Sequence, residues 1–404
     1  MSITITASYR TWMESTKPNS ILSKFTFNNS NLSNRVIQFP TIIREAGDIT
    51  GETVVFDIEN ASQLFNSLNT NREQLLKTGI FEYGYTSGNG SEDLIQMFGG
   101  ELTRVELNEG RGKMIFENKL TKLKRRRIGS ETVPIDYTNS LHNPADLAWY
   151  ICTSHGGLSG VQSTSNSDID YTTWNAWKTA LSDDVIGVNA YFEGNDLIET
   201  LELLQRLTDS VIWSQGDNKI YFSRWTGTSS YNITITDSYI VGKIDYKLNT
   251  DSILNKVTVQ LSYNTQQNTW AGQIVYQNSD SVGSYGIFEA IYDDTLIWYC
   301  TSATAMNLAQ RLCYRRGNAN AGITFDTPLR FLDISFGDYI DFTTQVYSLS
   351  GKKLNLKKYS IDTDAKIMTI VADEGFDRGA GRLSGFIIDD TYYGLLDQTY
   401  NPLF

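Results

Sequence analysis

The sequence predicts a mainly β fold with α+β character, in which two β-barrel or sandwich domains flank a small α+β domain and an extended C-terminal arm follows. Apolar and polar residues alternate over much of residues 1–130 and 226–376, which is the period of half-buried strands. Residues 131–225 instead show the spacing of amphipathic helices, and residues 377–404 show neither period. A 12% share of aromatic residues also suits a β-rich protein.

The first β domain is expected over residues 1–130. Residues 2–9 alternate as a strand, and residues 61–79 favour a loop with a short helix. Val54, Phe56 and Ile58 share one face of a strand by period two. Residues 94–123 predict a further set of strands, with the stretch NEGRG, residues 108–112, as a hairpin turn.

The α+β domain is expected over residues 131–225, and its first two helices have clear signals. Asn143 before Pro144 predicts a helix start, because Asn caps free N–H groups and Pro fits the first helical position. Trp174, Trp177 and Leu181 recur at helical spacing and predict a buried helix face.

A third helix and a hairpin complete this domain. Asp196 with Glu199 resembles a capping box, although Asp replaces the usual Ser or Thr. Four leucines form the predicted apolar face of the helix: Leu197, Leu201, Leu204 and Leu207. Residues 210–225 predict a β-hairpin that turns at residues 216–218.

The second β domain is expected over residues 226–376, with one helix inserted between its strands. Ala305, Leu308, Ala309 and Leu312 predict a narrow buried face on that helix, and Gly317 predicts its end. The arm, residues 377–404, contains aromatic and leucine residues that could dock on a neighbouring protein.

The bulk composition disfavours several classes of function. A net charge of −12 disfavours general attraction to nucleic acid and to a membrane surface. We expect neither a signal peptide nor a membrane anchor, because the first residues alternate and no segment approaches about 18 consecutive apolar residues. Three widely spaced cysteines fit reduced thiols and intracellular synthesis.

The stretch NPADLAWYICTSHGG contains a possible nucleophile and base, but it favours a helix end. Cys152 continues the buried side of the helix, and His155 would place a cation at its negative end. Gly156 is predicted to adopt the left-handed conformation that stops the helix. A cysteine–histidine pair acts as a nucleophile only when the two side chains are in contact and a third group orients the imidazole.

No other pattern predicts an enzyme, a cofactor or a metal. Adjacent carboxylates occur at residues 183–184, 293–294 and 389–390. Neighbouring residues on a strand point to opposite faces, so these pairs do not form the two-carboxylate site of a glycosidase. The sequence contains neither a zinc or calcium ligand pattern nor a phosphate-binding glycine loop.

A basic run is the one local departure from the acidic composition. Eight cationic residues between positions 111 and 127 accompany only Glu117. Three interpretations stay open: a solvated strand end or linker, pairing with an acidic neighbouring subunit, and contact with nucleic acid. The candidate interface residues come from this run and from the arm: Arg111, Lys122, Lys124, Arg125, Arg126, Arg127, Tyr392, Tyr393, Leu395, Leu396, Tyr400 and Phe404.

The order of elements over most of residues 35–375 resembles the tail-tip or baseplate hub proteins of tailed bacteriophages and related particles. The resemblance rests on the Pro-started helix that ends in a Gly pair, the DIDYTTWNAW helix, the NDLIETLELLQRLTDS helix and the hairpin after it. The preceding barrel and the later TAMNLAQRLCYRRGNANAGITFDTPLRFLDISFGDYIDF stretch fit the same order. Residues 1–30 and those after 376 are not covered.

This resemblance implies a non-enzymatic structural role in the virion tail. It implies a homotrimer in which two barrels per chain form a pseudo-sixfold ring between the tail tube and a threefold tip. The implied partners are the tail tube or distal tail protein, the tape-measure protein and a tail fibre or spike, and DNA would pass through without specific binding. It implies no cofactor and no catalytic residue.

The alternative is a tail protein that binds or degrades carbohydrate on the host surface. Four tryptophans could stack on sugar rings: Trp174, Trp177, Trp213 and Trp225. Their helical and hairpin positions suit a core better than an exposed platform.

Overall fold

A computed structural model describes residues 20–46, 49, 52–60, 74–86, 92–108, 110, 111–130, 132–160, 167–184, 186–224, 233–250, 252–374 and 386–387. The predicted strand at residues 2–9, most of the predicted helix at residues 61–79 and Trp225 lie outside these residues. Over the described part the chain is mainly β, as the sequence predicts. None of its helices is long and apolar enough to cross a membrane.

The first part of the chain folds into a seven-stranded sheet. Eight strands occur in this part of the chain, and all except β4 belong to the sheet. They are β1 (Ser20–Phe27), β2 (Ser30–Asn31), β3 (Val36–Gln38), β4 (Ile42–Glu45), β5 (Thr53–Glu59), β6 (Thr78–Thr86), β7 (Glu92–Asn108) and β8 (Arg111–Glu117). The sheet order is β2-β1-β6-β7-β8-β5-β3, and β4 joins a later sheet. Neighbouring strands in this sheet run antiparallel.

Two predictions for this sheet are confirmed, and one strand is replaced by a helix. Val54, Phe56 and Ile58 are buried on one face, and Gly110 turns between β7 and β8 with a φ of 79°. Residues 119–123, which the sequence analysis included among strands, form helix α1 (Lys119–Leu123). Its cap is Asn118, whose side chain accepts a hydrogen bond from the Thr121 amide at 3.3 Å.

The middle of the chain contains three helices and six short strands. In chain order these are β9 (Arg127–Ile128), β10 (Ile135–His142), α2 (Pro144–Tyr150), α3 (Tyr171–Asp183), β11 (Val188–Phe192), β12 (Asn195–Asp196), α4 (Leu197–Thr208), β13 (Ser210–Ser214) and β14 (Ile220–Arg224). Strands β13 and β14 form the predicted hairpin. Asn218 has a φ of 62° in its turn.

Helix α2 begins as predicted and ends differently. The Asn143 side chain accepts a hydrogen bond from the Ala145 amide at 2.8 Å, and Pro144 is the first helical residue. The helix then widens into one π turn, Ile151–His155, where the Gly156 amide donates to the Ile151 carbonyl at 2.8 Å. The left-handed residue is therefore Gly157, with a φ of 63°, and not Gly156.

The buried faces of α3 and α4 are confirmed, but the capping box of α4 is wrong. Trp174, Trp177 and Leu181 are buried on α3, and all four predicted leucines are buried on α4. The Asp196 side chain makes no capping hydrogen bond. It pairs instead with the Arg127 guanidinium, whose full charge competes well for a carboxylate at the surface.

The later part of the chain forms the remaining strands and two helices. These are β15 (Ile233–Thr236), β16 (Val241–Asn249), β17 (Lys256–Asn264), β18 (Thr269–Gln277), α5 (Ser279–Tyr285), β19 (Glu289–Tyr292), β20 (Ile297–Tyr299), α6 (Ser302–Arg316), β21 (Asn320–Pro328), β22 (Tyr339–Thr344), β23 (Leu349–Asp362), β24 (Ile367–Glu374) and β25 (Phe386–Ile387). Short 3-10 turns occur at Ser33–Arg35, Asp237–Tyr239, Leu329–Phe331 and Val346–Ser348.

Two further sheets organise these strands. One has the order β10-β11-β20-β17-β18-β25, with β19 beside β17, so strands from both sides of residue 226 share one sheet. The other has the order β15-β22-β23-β24-β21-β16, with β4 paired to β23. The N-terminal segment that contains β4 therefore reaches into a sheet built mostly from the last third of the chain.

Two hydrophobic cores follow from this arrangement. The first core surrounds α2, α3, α4 and α6 and one face of the sheet that contains β17. The predicted face of α6, Ala305, Leu308, Ala309 and Leu312, is buried in it. The second core is shared by the N-terminal sheet, the sheet that contains β23 and side chains of the β13–β14 hairpin.

Candidate assembly interface

The basic run is divided among three elements and is not one continuous patch. Arg111 begins β8, Lys122 lies on α1 and Arg127 begins β9. On β8, Lys113 lies in register with Asp57 of β5 and Glu106 of β7. Opposite charges in such cross-strand positions attract, so part of the run serves the N-terminal sheet.

Other members of the run pair with carboxylates that are distant in sequence. The Lys119 ammonium contacts the Asp168 carboxylate, and the Lys122 ammonium contacts the Glu101 carboxylate. The Lys119 amide also donates to the Asn218 side chain at 3.0 Å. Both carboxylates lie outside residues 111–127, the span over which the charges of the basic run were counted. The local excess of positive charge in the folded chain is therefore smaller than the sequence suggests.

The basic turn, residues 124–127, keeps four exposed cations after α1 and at the start of β9. Arg125 Nη2 lies 3.8 Å from Glu117 Oε2, and Arg127 Nε lies 3.3 Å from Asp196 Oδ1. The side chains of Arg125 and Arg127 remain 76% and 71% exposed. Exposed pairs of this kind contribute about 0–1 kcal/mol, so these cations remain available to a partner.

Arg126 connects the basic turn to the end of α2. Its Nη1 donates to the His155 carbonyl oxygen at 3.3 Å. A Cβ atom at Gly157 would lie 2.3 Å from that same guanidinium nitrogen, so the turn and the helix end are closely apposed. The glycine at position 157 thus satisfies two requirements, a left-handed backbone and room for Arg126.

A second candidate surface, which the sequence analysis did not single out, is the apolar edge formed by Tyr285, Ile287, Phe288 and Ile291. All four side chains are exposed, with Ile287 at 60% and Ile291 at 58%. They run from the last residue of α5 onto β19, which pairs with β17. Exposed apolar side chains on a short strand next to a loop are typical of contact surfaces between proteins. In the sequence these residues form a nearly continuous apolar run that does not alternate, so the sequence does not indicate which side chains face solvent.

The arm is described only at β25, which pairs antiparallel with the end of β18 at Tyr276 and Gln277. The arm's candidate interface residues lie outside the described residues: Tyr392, Tyr393, Leu395, Leu396, Tyr400 and Phe404.

The structure gives Cys152 and His155 different surroundings. Cys152 is buried in the first core, and that burial raises the pKa of its thiol to about 12. The His155 ring packs edge-on against Tyr150, with 5.0 Å between ring centroids. Burial lowers the pKa of His155, which disfavours the cation expected at this helix end.

Of the tryptophans considered for sugar stacking, the three that the structure describes lie in the interior. Trp174, Trp177 and Trp213 are buried. The indole of Trp174 donates to the Ala145 carbonyl at 2.8 Å, and that of Trp177 donates to Ser210 Oγ at 2.7 Å. Their faces are therefore closed to a ligand, which removes the main support for carbohydrate binding.

One member of each described carboxylate pair forms an ion pair with an arginine. Asp184 contacts Arg224, and Asp294 Oδ2 lies 3.3 Å from Arg206 Nη2. Within the described residues, no group of three or more His, Cys, Asp or Glu side chains is arranged to hold a metal ion.

The fold is similar to that of several phage tail proteins of known structure. The tail protein from Neisseria meningitidis MC58 matches with a TM-score of 0.55 and 10% identity, over 88% of this chain and 97% of that one. The 43 kDa tail protein of prophage MuSo2 from Shewanella oneidensis matches with a TM-score of 0.53 and 10% identity, over 87% and 98%. Prophage tail protein gp18 from Listeria monocytogenes EGD-e matches with a TM-score of 0.50 and 11% identity, over 87% and 94%.

These likenesses extend over nearly the whole length of each tail protein, and at such low identity they concern the fold. No protein-family model matches the sequence, and no curated protein matches it. The resemblance to phage tail proteins that the order of elements indicated is confirmed at the level of the fold.

Proposed function

We propose that this protein is a structural hub of a phage tail tip or baseplate. In this proposal three copies form a ring that joins the sixfold tail tube to a threefold tip and encloses the channel for the tape-measure protein and DNA. The ring is structural and carries out no catalysis. The observation that carries the proposal is the shared fold with three tail proteins, each matched over at least 94% of its length.

The distribution of polar and apolar surface supports a role in assembly. The apolar edge exposes four large side chains, and burying them against another protein would be favourable by the hydrophobic effect. The basic turn places cations on a chain whose net charge is −12, so another copy of this chain is a suitable electrostatic partner. Both surfaces are therefore candidate contacts within the ring.

The acidic composition supports the passage of DNA without binding. Phosphate groups are repelled by a surface with an excess of carboxylates, and non-specific DNA affinity comes mainly from lysine and arginine contacts. We accordingly assign the basic turn to a protein contact and not to the channel. The tail tube or distal tail protein, the tape-measure protein and a tail fibre or spike complete the proposed set of partners.

The mass and shape of the purified chain test this proposal. We expect light scattering to give three times the 45.5 kDa chain mass and electron microscopy to show rings with a central opening. A particle that stays monomeric at high protein concentration and shows no ring, alone or with the tail tube protein, would contradict the hub. Fluorescence anisotropy with labelled DNA should show no binding at physiological salt.

A further inference from the structure

A cavity of about 200 Å³ lies where the two hydrophobic cores meet. One wall comes from the second core, through Ala46 beyond β4 and Lys357 of β23. The opposite wall comes from elements of the first core, namely the end of α4, strand β19 and the last turn of α6. The Ala46 amide donates to the Lys357 carbonyl at 2.6 Å, which fixes the first wall.

The lining of this cavity is strongly cationic. Four of its residues carry positive charge, and Asp209 is the only acidic one: the cations are Arg206, Arg315, Arg316 and Lys357. This concentration is unusual in a chain with 46 acidic and 34 basic residues. Like charges held together in a partly enclosed space repel one another more strongly than at an open surface.

The one lining carboxylate is shared between two guanidinium groups. Asp209 Oδ1 lies 2.7 Å from Arg315 Nη2, and Asp209 Oδ2 lies 3.7 Å from Nη2 of Arg311, which stands behind the lining. Asp209 is itself buried and follows α4 in a left-handed conformation. It therefore positions the arginines on α6 and has little charge left to offset the rest of the cavity.

The other cations are held by groups outside the lining. Arg206 Nη2 lies 3.3 Å from Asp294 Oδ2, and Lys357 Nζ lies 3.3 Å from Asp373 Oδ2. Arg316 Nε donates to a neutral acceptor, the Ser252 carbonyl, at 3.2 Å. The lining cations are thus held in place by these partners, which lowers the cost of ordering their side chains when a ligand binds.

We infer that this cavity binds a free polyvalent oxyanion of the phosphate class, which bridges the two cores. Arg315, Arg316 and Arg206 would approach it from the first core, and Lys357 would approach it from the second. Guanidinium groups suit such a ligand, because their planar N–H donors match the geometry of phosphate oxygens. The inference does not depend on the proposed tail function.

The electrostatics of Lys357 support the same site. Its pKa is lowered, mainly because burial disfavours the ammonium charge; Arg315 and Arg316 add like charges nearby, and Asp373 partly opposes the shift. A bound anion would offset that repulsion. Since the ligand contacts both cores, its binding would also raise the stability of the whole folded chain by mass action.

Calorimetric titration of the full chain with inorganic phosphate tests the inference. We expect saturable binding at one site per chain, and a rise in the thermal midpoint that sodium chloride at equal ionic strength does not produce. Sulfate should bind as well, since it shares the tetrahedral oxyanion geometry. If phosphate gives neither heat nor a midpoint shift beyond that of sodium chloride, the inference is wrong.

Substitutions then assign the binding to the cavity. The double variant Arg316→Gln/Lys357→Gln should bind phosphate at least about tenfold more weakly, because two charge-assisted hydrogen bonds are lost. Lys247→Gln is the matched control, since Lys247 lies on β16 with a side chain that is 77% exposed. Unchanged affinity in the double variant would overturn the assignment. If circular dichroism shows that this variant does not fold, Arg206→Gln, on a side chain that is 59% exposed, provides the same test.

Discussion

Two arginine–carboxylate pairs of equal length occupy opposite environments in this protein. Arg44 Nη2 lies 3.3 Å from Glu52 Oε2 in the second core, with the two side chains only 3% and 8% exposed. Arg127 Nε lies 3.3 Å from Asp196 Oδ1 in the basic turn, with the side chains 71% and 40% exposed. The distance is the same, yet the consequences of breaking the two pairs differ.

The difference lies in what surrounds each arginine. Arg44 also donates to the Tyr359 hydroxyl at 3.0 Å and to the Met97 carbonyl at 2.6 Å, so it ties β4 to β23 and to β7. Arg127 keeps most of its guanidinium in water. A buried charge without its partner is costly, whereas an exposed one is resolvated. Arg44 therefore belongs to the fold, and Arg127 is free to serve a contact with another protein.

Removing the buried arginine should have the largest effect. Arg44→Met leaves Glu52 buried without its cation, and we expect a loss of about 3–5 kcal/mol in the free energy of unfolding, measured in urea. Burial already raises the pKa of Glu52, and Arg44 is the group that opposes this rise. The double variant Arg44→Met/Glu52→Leu should recover much of the loss.

The control for this prediction is Arg35→Met. Arg35 Nη1 lies 3.3 Å from Glu59 Oε2, so the pair has the same residue types and length but is more exposed. We expect a loss of about 0–1 kcal/mol there. Equal losses at Arg44 and Arg35 would show that burial does not separate the two environments.

Neutralising the basic turn should leave the fold intact and weaken assembly. The variant Arg125→Gln/Arg126→Gln/Arg127→Gln loses only exposed ion pairs and one hydrogen bond to a carbonyl, so its free energy of unfolding should change by no more than about 1 kcal/mol. If the turn contacts an acidic neighbour, association measured by analytical ultracentrifugation should weaken about tenfold or more at low salt. Unchanged association would refute pairing with an acidic neighbouring subunit and would favour the interpretation of the run as a solvated turn.

The sequence predicted the elements of the fold that depend on local spacing. The period of two at Val54, Phe56 and Ile58 is sufficient to predict the buried face of a strand. Helical spacing does the same for Trp174 and Trp177, because in both cases burial on one face repeats within a few residues. The cap at Asn143 is equally local, since its acceptor and donor are two residues apart.

The sequence could not predict contacts between distant segments. Arg44 and Tyr359 are 315 positions apart and meet only because β4 pairs with β23. The capping box at Asp196 failed for the same reason, since Arg127 reaches that carboxylate across the β9–β12 pair. The positive charge of the basic run was overestimated because its carboxylate partners are distant in sequence. The apolar edge was missed because its exposure depends on which sheet β19 joins.

The smallest of the three effects concerns His155, which stands between the two environments. Its carbonyl accepts from the basic turn, while burial lowers the pKa of its ring. A base whose pKa is lower in the folded state binds fewer protons there than in the unfolded chain, so stability falls as the pH drops below the unfolded value of about 6.5. We expect the free energy of unfolding to decline from pH 7 to pH 5 in the natural chain and to decline less in His155→Leu. The chain has only two histidines, so His142→Leu is the matched control and should retain the decline. If His155→Leu has the same pH dependence as the natural chain, the ring is not the group that opposes protonation, and the environment of the helix end resembles the exposed turn more than the core.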